Sequence, residues 1–132
     1  MVVRLEIPPR SAYVAVVRLA LGSLARSAGV GEEVLGDLRI AVSEACANAV
    51  LSNEEAGSTE PVTITWVADH GRVVVEVGDR GTIYESSGDA LDSQGFSARL
   101  TMSLGLLQSL VDECVFEPRA GGGMLTRLAV TV

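Results

Sequence analysis

Leu38-Arg39-Ile40-Ala41-Val42-Ser43-Glu44-Ala45-Cys46-Ala47-Asn48-Ala49-Val50 is the stretch on which the fold turns. Leu38, Ala41, Val42, Ala45 and Ala49 recur at helical spacing, so one side of an amphipathic helix packs on a core. Glu44 and Asn48 stand four apart and project side by side from adjacent turns. A carboxylate that can take a proton, beside an amide oxygen that can ligate a hard cation, suits phosphoryl transfer. The same spacing is also common among residues that do nothing more than face water.

The helix sits in a chain of 132 residues with 48% hydrophobic residues. That length suits one domain, expected here over residues 1–132, with a core of its own. No apolar run approaches the roughly 18–20 residues of a membrane span, and Met1 to Glu6 do not read as a secretory signal. No membrane association is expected. Cys46 and Cys114 stand in apolar surroundings, as buried thiols in a reducing cytoplasm do. The net charge of −7 repels nucleic-acid phosphates, and no basic stripe offsets it. All ten basic residues are Arg. A lysine-dependent phosphate loop and a lysine Schiff base are therefore excluded. Any nucleotide must be held by backbone amides, a metal ion and Arg.

Outward from the central helix, Val2 to Ile7 alternates as a strand that stops at Pro8-Pro9. Ser11 can cap a helix over residues 12–28, closed by Gly29. The central helix spans residues 32–51, and Asn53 to Ser58 reads as a polar connector. Val62 to Ala68 and Arg72 to Val77 form a hairpin around Asp69-His70-Gly71. His70, at that turn, reads as solvated, and Trp66 as core. Residues 82–101 have little periodicity and read as a long loop or lid. Ser103-Leu104-Gly105-Leu106 then opens a helix over residues 102–111, where free amides and the helix dipole suit a phosphate. Glu113 to Glu117 and Met124 to Val132 pair across Gly121-Gly122-Gly123. The expected architecture is α+β: a two-layer sandwich with a mixed, mostly antiparallel sheet and helices on one face.

In order, the chain shows a helical E-x-x-x-N, a strand ending in D-x-G, a long loop, a Gly-opened helix and a GGG hairpin. The segments are Leu38 to Val50, Val75 to Gly81, Leu104 to Glu113 and Gly121 to Leu128. Together they resemble the Bergerat-fold ATPases of the gyrase and sensor-histidine-kinase superfamily. Within it, the chain looks most like the anti-sigma factor serine-protein kinases. The resemblance implies ATP and Mg²⁺ as cofactors. Glu44 would be the general base toward a protein serine, and Asn48 the Mg²⁺ ligand. Asp79 would accept the amino group of adenine, and Gly81 would allow close approach to the base. Gly105 and the amides of Leu106 and Leu107 would meet the phosphates, and Thr126 would add a hydrogen bond near adenine. Arg18 would contact a partner. The implied partners are an alternative sigma factor and an anti-anti-sigma protein of STAS type, bound by a cytoplasmic homodimer without direct nucleic-acid contact. Ile83 and Ser103 stand where such proteins carry lid glycines. This departure keeps a second reading open: a regulatory module impaired in ATP binding that sequesters its partner without catalysis.

Overall fold

In the computed structural model, which describes residues 1–81 and 94–132 (side chains excepted over 94–99), the strands are β1 (Val2–Ile7), β2 (Val62–Asp69), β3 (Arg72–Gly78), β4 (Glu113–Pro118) and β5 (Met124–Thr131). They form one sheet in the order β1-β2-β3-β5-β4. Every pairing among these strands is antiparallel, so the expected mixed sheet is corrected to an antiparallel one. The helices are α1 (Val14–Ser27), α2 (Glu32–Ala56) and α3 (Gln94–Leu110).

Period-two alternation decides which face of the sheet is covered. Val62, Ile64 and Trp66 on β2, Val73, Val75 and Val77 on β3, and Leu128 and Val130 on β5 are all buried, and they join one core. Helix α2 supplies the other side of that core through Leu35, Leu38, Ala41, Val42, Ala45, Cys46, Ala49 and Val50. Leu107 of α3 and Val17 and Leu21 of α1 complete it. The outer face is polar where β3 and β5 pair. Arg127 there bridges Glu76 at 3.0 Å and Glu117 at 2.8 Å. This is the expected two-layer α+β sandwich, with α2 at its centre.

The turns explain the strand register. His70 and Gly71 both take positive φ, 48° and 75°, which matches the right-handed twist of the β2–β3 hairpin. The His70 side chain is almost wholly in solvent. Both cysteines are free, and burial pushes the Cys46 thiol up to about 12 and the Cys114 thiol up as well.

Three helix boundaries differ from the sequence expectation. Residues Ser11–Tyr13 form a 3-10 turn ahead of α1, without a side-chain cap. Helix α2 continues through Asn53 to Ala56 and ends on Gly57 at φ 67°, so the expected connector is helix. Helix α3 starts at Gln94, so the loop expected over 82–101 ends earlier, and residues 82–93 lie outside the described residues. No described helix is long and apolar enough to cross a membrane.

Candidate functional site

Glu44 and Asn48 point from α2 toward one atom. Ser103 of α3 donates its hydroxyl proton to Glu44 Oε2 at 2.5 Å and accepts from Asn48 Nδ2 at 2.8 Å. Ser103 is 4% exposed while Glu44 and Asn48 are half-buried, so the cluster lies at the edge of the seam between α2 and α3. This is chemically notable because a serine in mid-helix ordinarily bonds a carbonyl of its own helix. Ser109 of the same helix does so, bonding Leu106 O at 2.6 Å.

On its other flank Glu44 borders an open groove of about 650 Å³ between α1 and α2. Arg18, Arg39, Ile40 and Ser43 also line it, so the fold brings Arg18 and Glu44 to one surface depression. The groove joins two cationic side chains and an apolar one to the candidate base, in a chain whose net charge is −7. Val16 and Leu19 on α1, and Tyr13 in the turn ahead of it, leave further apolar surface exposed.

Asp79 follows β3 and is 5% exposed. Its Oδ1 accepts from Gly81 N–H at 3.0 Å and Met124 N–H at 3.2 Å, while its own N–H bonds Met124 O at 2.9 Å. Burial pushes the Asp79 carboxyl up, opposed by those two N–H bonds and then by the Arg119 and Arg80 charges. Gly81 has no room for a side chain: a Cβ would overlap the Ser52 carbonyl and lie 2.6 Å from Asn53 N. Gly123 is equally constrained, at φ 99° with a Cβ position overlapping Asp79 O. Arg119 bonds Asp79 O at 2.8 Å, and Arg80 bonds Ala120 O at 2.7 Å and Gly122 O at 2.8 Å. Two arginines thus clasp the glycine hairpin onto the Asp79 segment. Thr126, buried on β5, pairs with Val77, two residues before Asp79.

Asn53 is a residue that the sequence reading placed in a connector and did not single out. It is fully buried, accepts from Arg80 N–H at 2.9 Å and donates to Glu60 O at 2.8 Å. It therefore ties the Asp79–Gly81 segment to the end of α2. An Asn53→Ala protein leaves the Arg80 amide without its acceptor and should lose about 1–3 kcal/mol of stability in urea titrations.

The expected phosphate amides are not at a helix start. Gly105, Leu106 and Leu107 lie inside α3, where backbone N–H groups bond carbonyls four residues back. This corrects the helix expected to open near Ser103. The physical reason is that Leu107 is fully buried and Ser103 is fastened to α2, so tertiary contacts hold the helix on both sides of Gly105. Ile83 lies outside the described residues.

A family model described as the histidine kinase-like ATPase domain matches residues 7–129, nearly the full chain. The chain belongs to that family. One relative of this histidine kinase-like ATPase domain is the serine-protein kinase RsbW of Bacillus pumilus, 29% identical over an alignment 129 positions long that covers 90% of this chain and 80% of that protein. Solved structures share the fold at low identity. The RsbU and RsbW domains of a Mycobacterium tuberculosis protein align with a TM-score of 0.75 at 19% identity, over 99% of this chain and 32% of that one. The SiaB–SiaC complex of Pseudomonas aeruginosa aligns with a TM-score of 0.72 at 14% identity, over 97% of this chain and 88% of that one. The antiparallel five-stranded sheet with its helical layer is accordingly the architecture of this ATPase domain.

Proposed function

We propose that the chain is an anti-sigma factor with ATP-dependent protein-serine kinase activity. It sequesters an alternative sigma factor and phosphorylates a serine on an anti-anti-sigma antagonist of STAS type. The observation that carries the kinase part is the convergence of Glu44 and Asn48 on a single hydroxyl oxygen. A base within hydrogen-bond reach of a serine hydroxyl, with a metal-ligating amide one helical turn away, is the arrangement that serine attack on phosphorus calls for. The relative named as a serine-protein kinase, alignable over 90% of this chain, supports the same reading.

The donor set fits Mg-ATP. Glu44 takes the proton of the attacking serine. Asn48 already spends Nδ2 on Ser103, which leaves Oδ1 as the oxygen toward Mg²⁺. When bound, that ion neutralises phosphate charge. Asp79 offers an acceptor to the adenine amino group, which separates adenine from guanine by hydrogen-bond polarity. Gly81 packs against the Ser52 carbonyl and, through its N–H, fixes the Asp79 carboxylate toward the base, and Thr126 adds a hydroxyl beside it. The amides of Gly105, Leu106 and Leu107 become phosphate donors only if α3 shortens to begin there. Arg18 and its groove receive the partner, and the assembly is a homodimer. Competition of two partners for one surface, with phosphate disabling one of them, gives the switch.

Sequestration without catalysis is the second reading, and the commitment of the Gly105–Leu107 amides to α3 favours it. Calorimetric titration with ATP, with and without Mg²⁺, separates the two. Under the kinase reading Mg²⁺ tightens ATP binding, and Asn48→Ala abolishes that gain while retaining metal-free binding. ATP affinity indifferent to Mg²⁺ in the unaltered protein would remove Asn48 from its role.

A further inference from the structure

We propose that Ser103 is a self-phosphorylation site, accepting the γ-phosphoryl group of ATP within its own chain with Glu44 as its base. The inference rests on the kinase reading above. The geometry is that of an activated nucleophile: the hydroxyl donates to the carboxylate at 2.5 Å, and an amide donates to the hydroxyl oxygen at 2.8 Å. The two contacts orient the oxygen lone pairs and the proton, which a freely rotating serine would not have. At 4% exposure the hydroxyl is closed to water and to nucleotide alike, so transfer requires α3 to shift enough to admit the γ-phosphate while Ser103 keeps its bond to Glu44. Ser109 supplies a contrast within the same helix, since it is exposed and bonded only to a local carbonyl, with no carboxylate as partner.

The step balances with ATP as the sole co-reactant. The Ser103 Oγ–phosphorus bond forms as the bond from the γ-phosphorus to the bridging oxygen of ADP breaks. The hydroxyl proton passes to Glu44, and ADP departs with the electron pair. The product places a phosphate of charge near −2 against the Glu44 carboxylate, so like charges push α3 from α2. A base facing phosphoserine no longer reaches a second acceptor, which makes the modification self-limiting.

The test is to incubate the purified full chain with Mg-ATP and no second protein, following intact mass and mapping the phosphopeptide. One phosphate per chain on Ser103 is expected, with a first-order rate that does not change with protein concentration. Ser103→Ala should take none, Ser103→Thr should retain slow transfer, and Glu44→Gln should slow it by about 100-fold or more. Circular dichroism of each variant verifies its fold. The phosphorylated protein should unfold at a lower temperature than the unmodified one. ATP titration of the same samples separates the failures. ATP bound with Ser103 unmodified overturns this proposal and leaves the proposed function standing. A rate that rises with protein concentration, or phosphate appearing on Ser103 of Glu44→Gln chains when they are mixed with Ser103→Ala chains, overturns the claim that acceptor and base belong to one chain. No ATP bound at all overturns both.

Discussion

A Glu44→Gln protein should bind Mg-ATP yet transfer phosphate to a serine acceptor about 10²–10⁴-fold more slowly than the unaltered chain. Glutamine keeps the shape and an oxygen for the Ser103 hydroxyl, so the α2–α3 seam survives. It cannot take up the proton of the attacking hydroxyl. Single-turnover transfer from labelled ATP measures the loss directly. A loss in rate with nucleotide affinity preserved separates a missing base from a damaged pocket. Transfer within tenfold of the original would mean that the base is another group (the same comparison made with Glu44→Ala would confuse base loss with a cavity).

Asp79 should divide stability from recognition. Asp79→Ala removes the acceptor for Gly81 N–H and Met124 N–H, leaving two buried donors at about 1–3 kcal/mol each. Thermal unfolding should shift down by many degrees, and ATP binding should vanish. Asp79→Asn keeps a carbonyl oxygen for those donors, so the fold holds. Its new NH₂ group faces the adenine amino group donor to donor, and ATP affinity falls without unfolding. pH adds a signature. Because burial raises the Asp79 carboxyl, the folded state binds its proton more tightly than the unfolded state does. Its contribution to stability is complete below the ordinary carboxylate value and is lost as pH rises through the raised one. The stability of Asp79→Asn relative to the original protein should therefore improve as pH climbs through that window, measured by urea unfolding at several pH values.

The core face of α2 was legible in the sequence because helical periodicity is local, and the apolar residues of Leu38 to Ala49 have no competing explanation. The β2–β3 hairpin was legible for the same reason: alternation on both sides of Asp69-His70-Gly71 allows one register. Asp79 and Gly81 could be placed because a D-x-G directly after a strand is a short pattern. Asn53 could not. Its partners, Arg80 and Glu60, lie outside its own turn of helix, and its polar neighbours disguise a buried amide as a connector. The clasp of Arg80 and Arg119 on backbone carbonyls is equally silent, since nothing local marks an arginine for a distant hairpin. The start of α3 was misplaced because glycine at 105 imitates a boundary, while the forces that continue the helix past it come from α2 and the core. Ser103 was visible as a replaced glycine, but its two hydrogen bonds required the third dimension.

Gly105 stands in mid-helix with nothing within 4 Å of where its Cβ would be. No steric need puts glycine there, and alanine would strengthen an exposed helix interior by about 1 kcal/mol. The chain therefore carries a brittle joint between the half of α3 that holds Ser103 and the half anchored by Leu107. Melting only the leading half would release Ser103 from Glu44 and Asn48 and free the helix-bonded amides of the joint, while the trailing half stayed moored through Leu107. A Gly105→Ala substitution would stiffen that joint and hold α3 as one continuous rod.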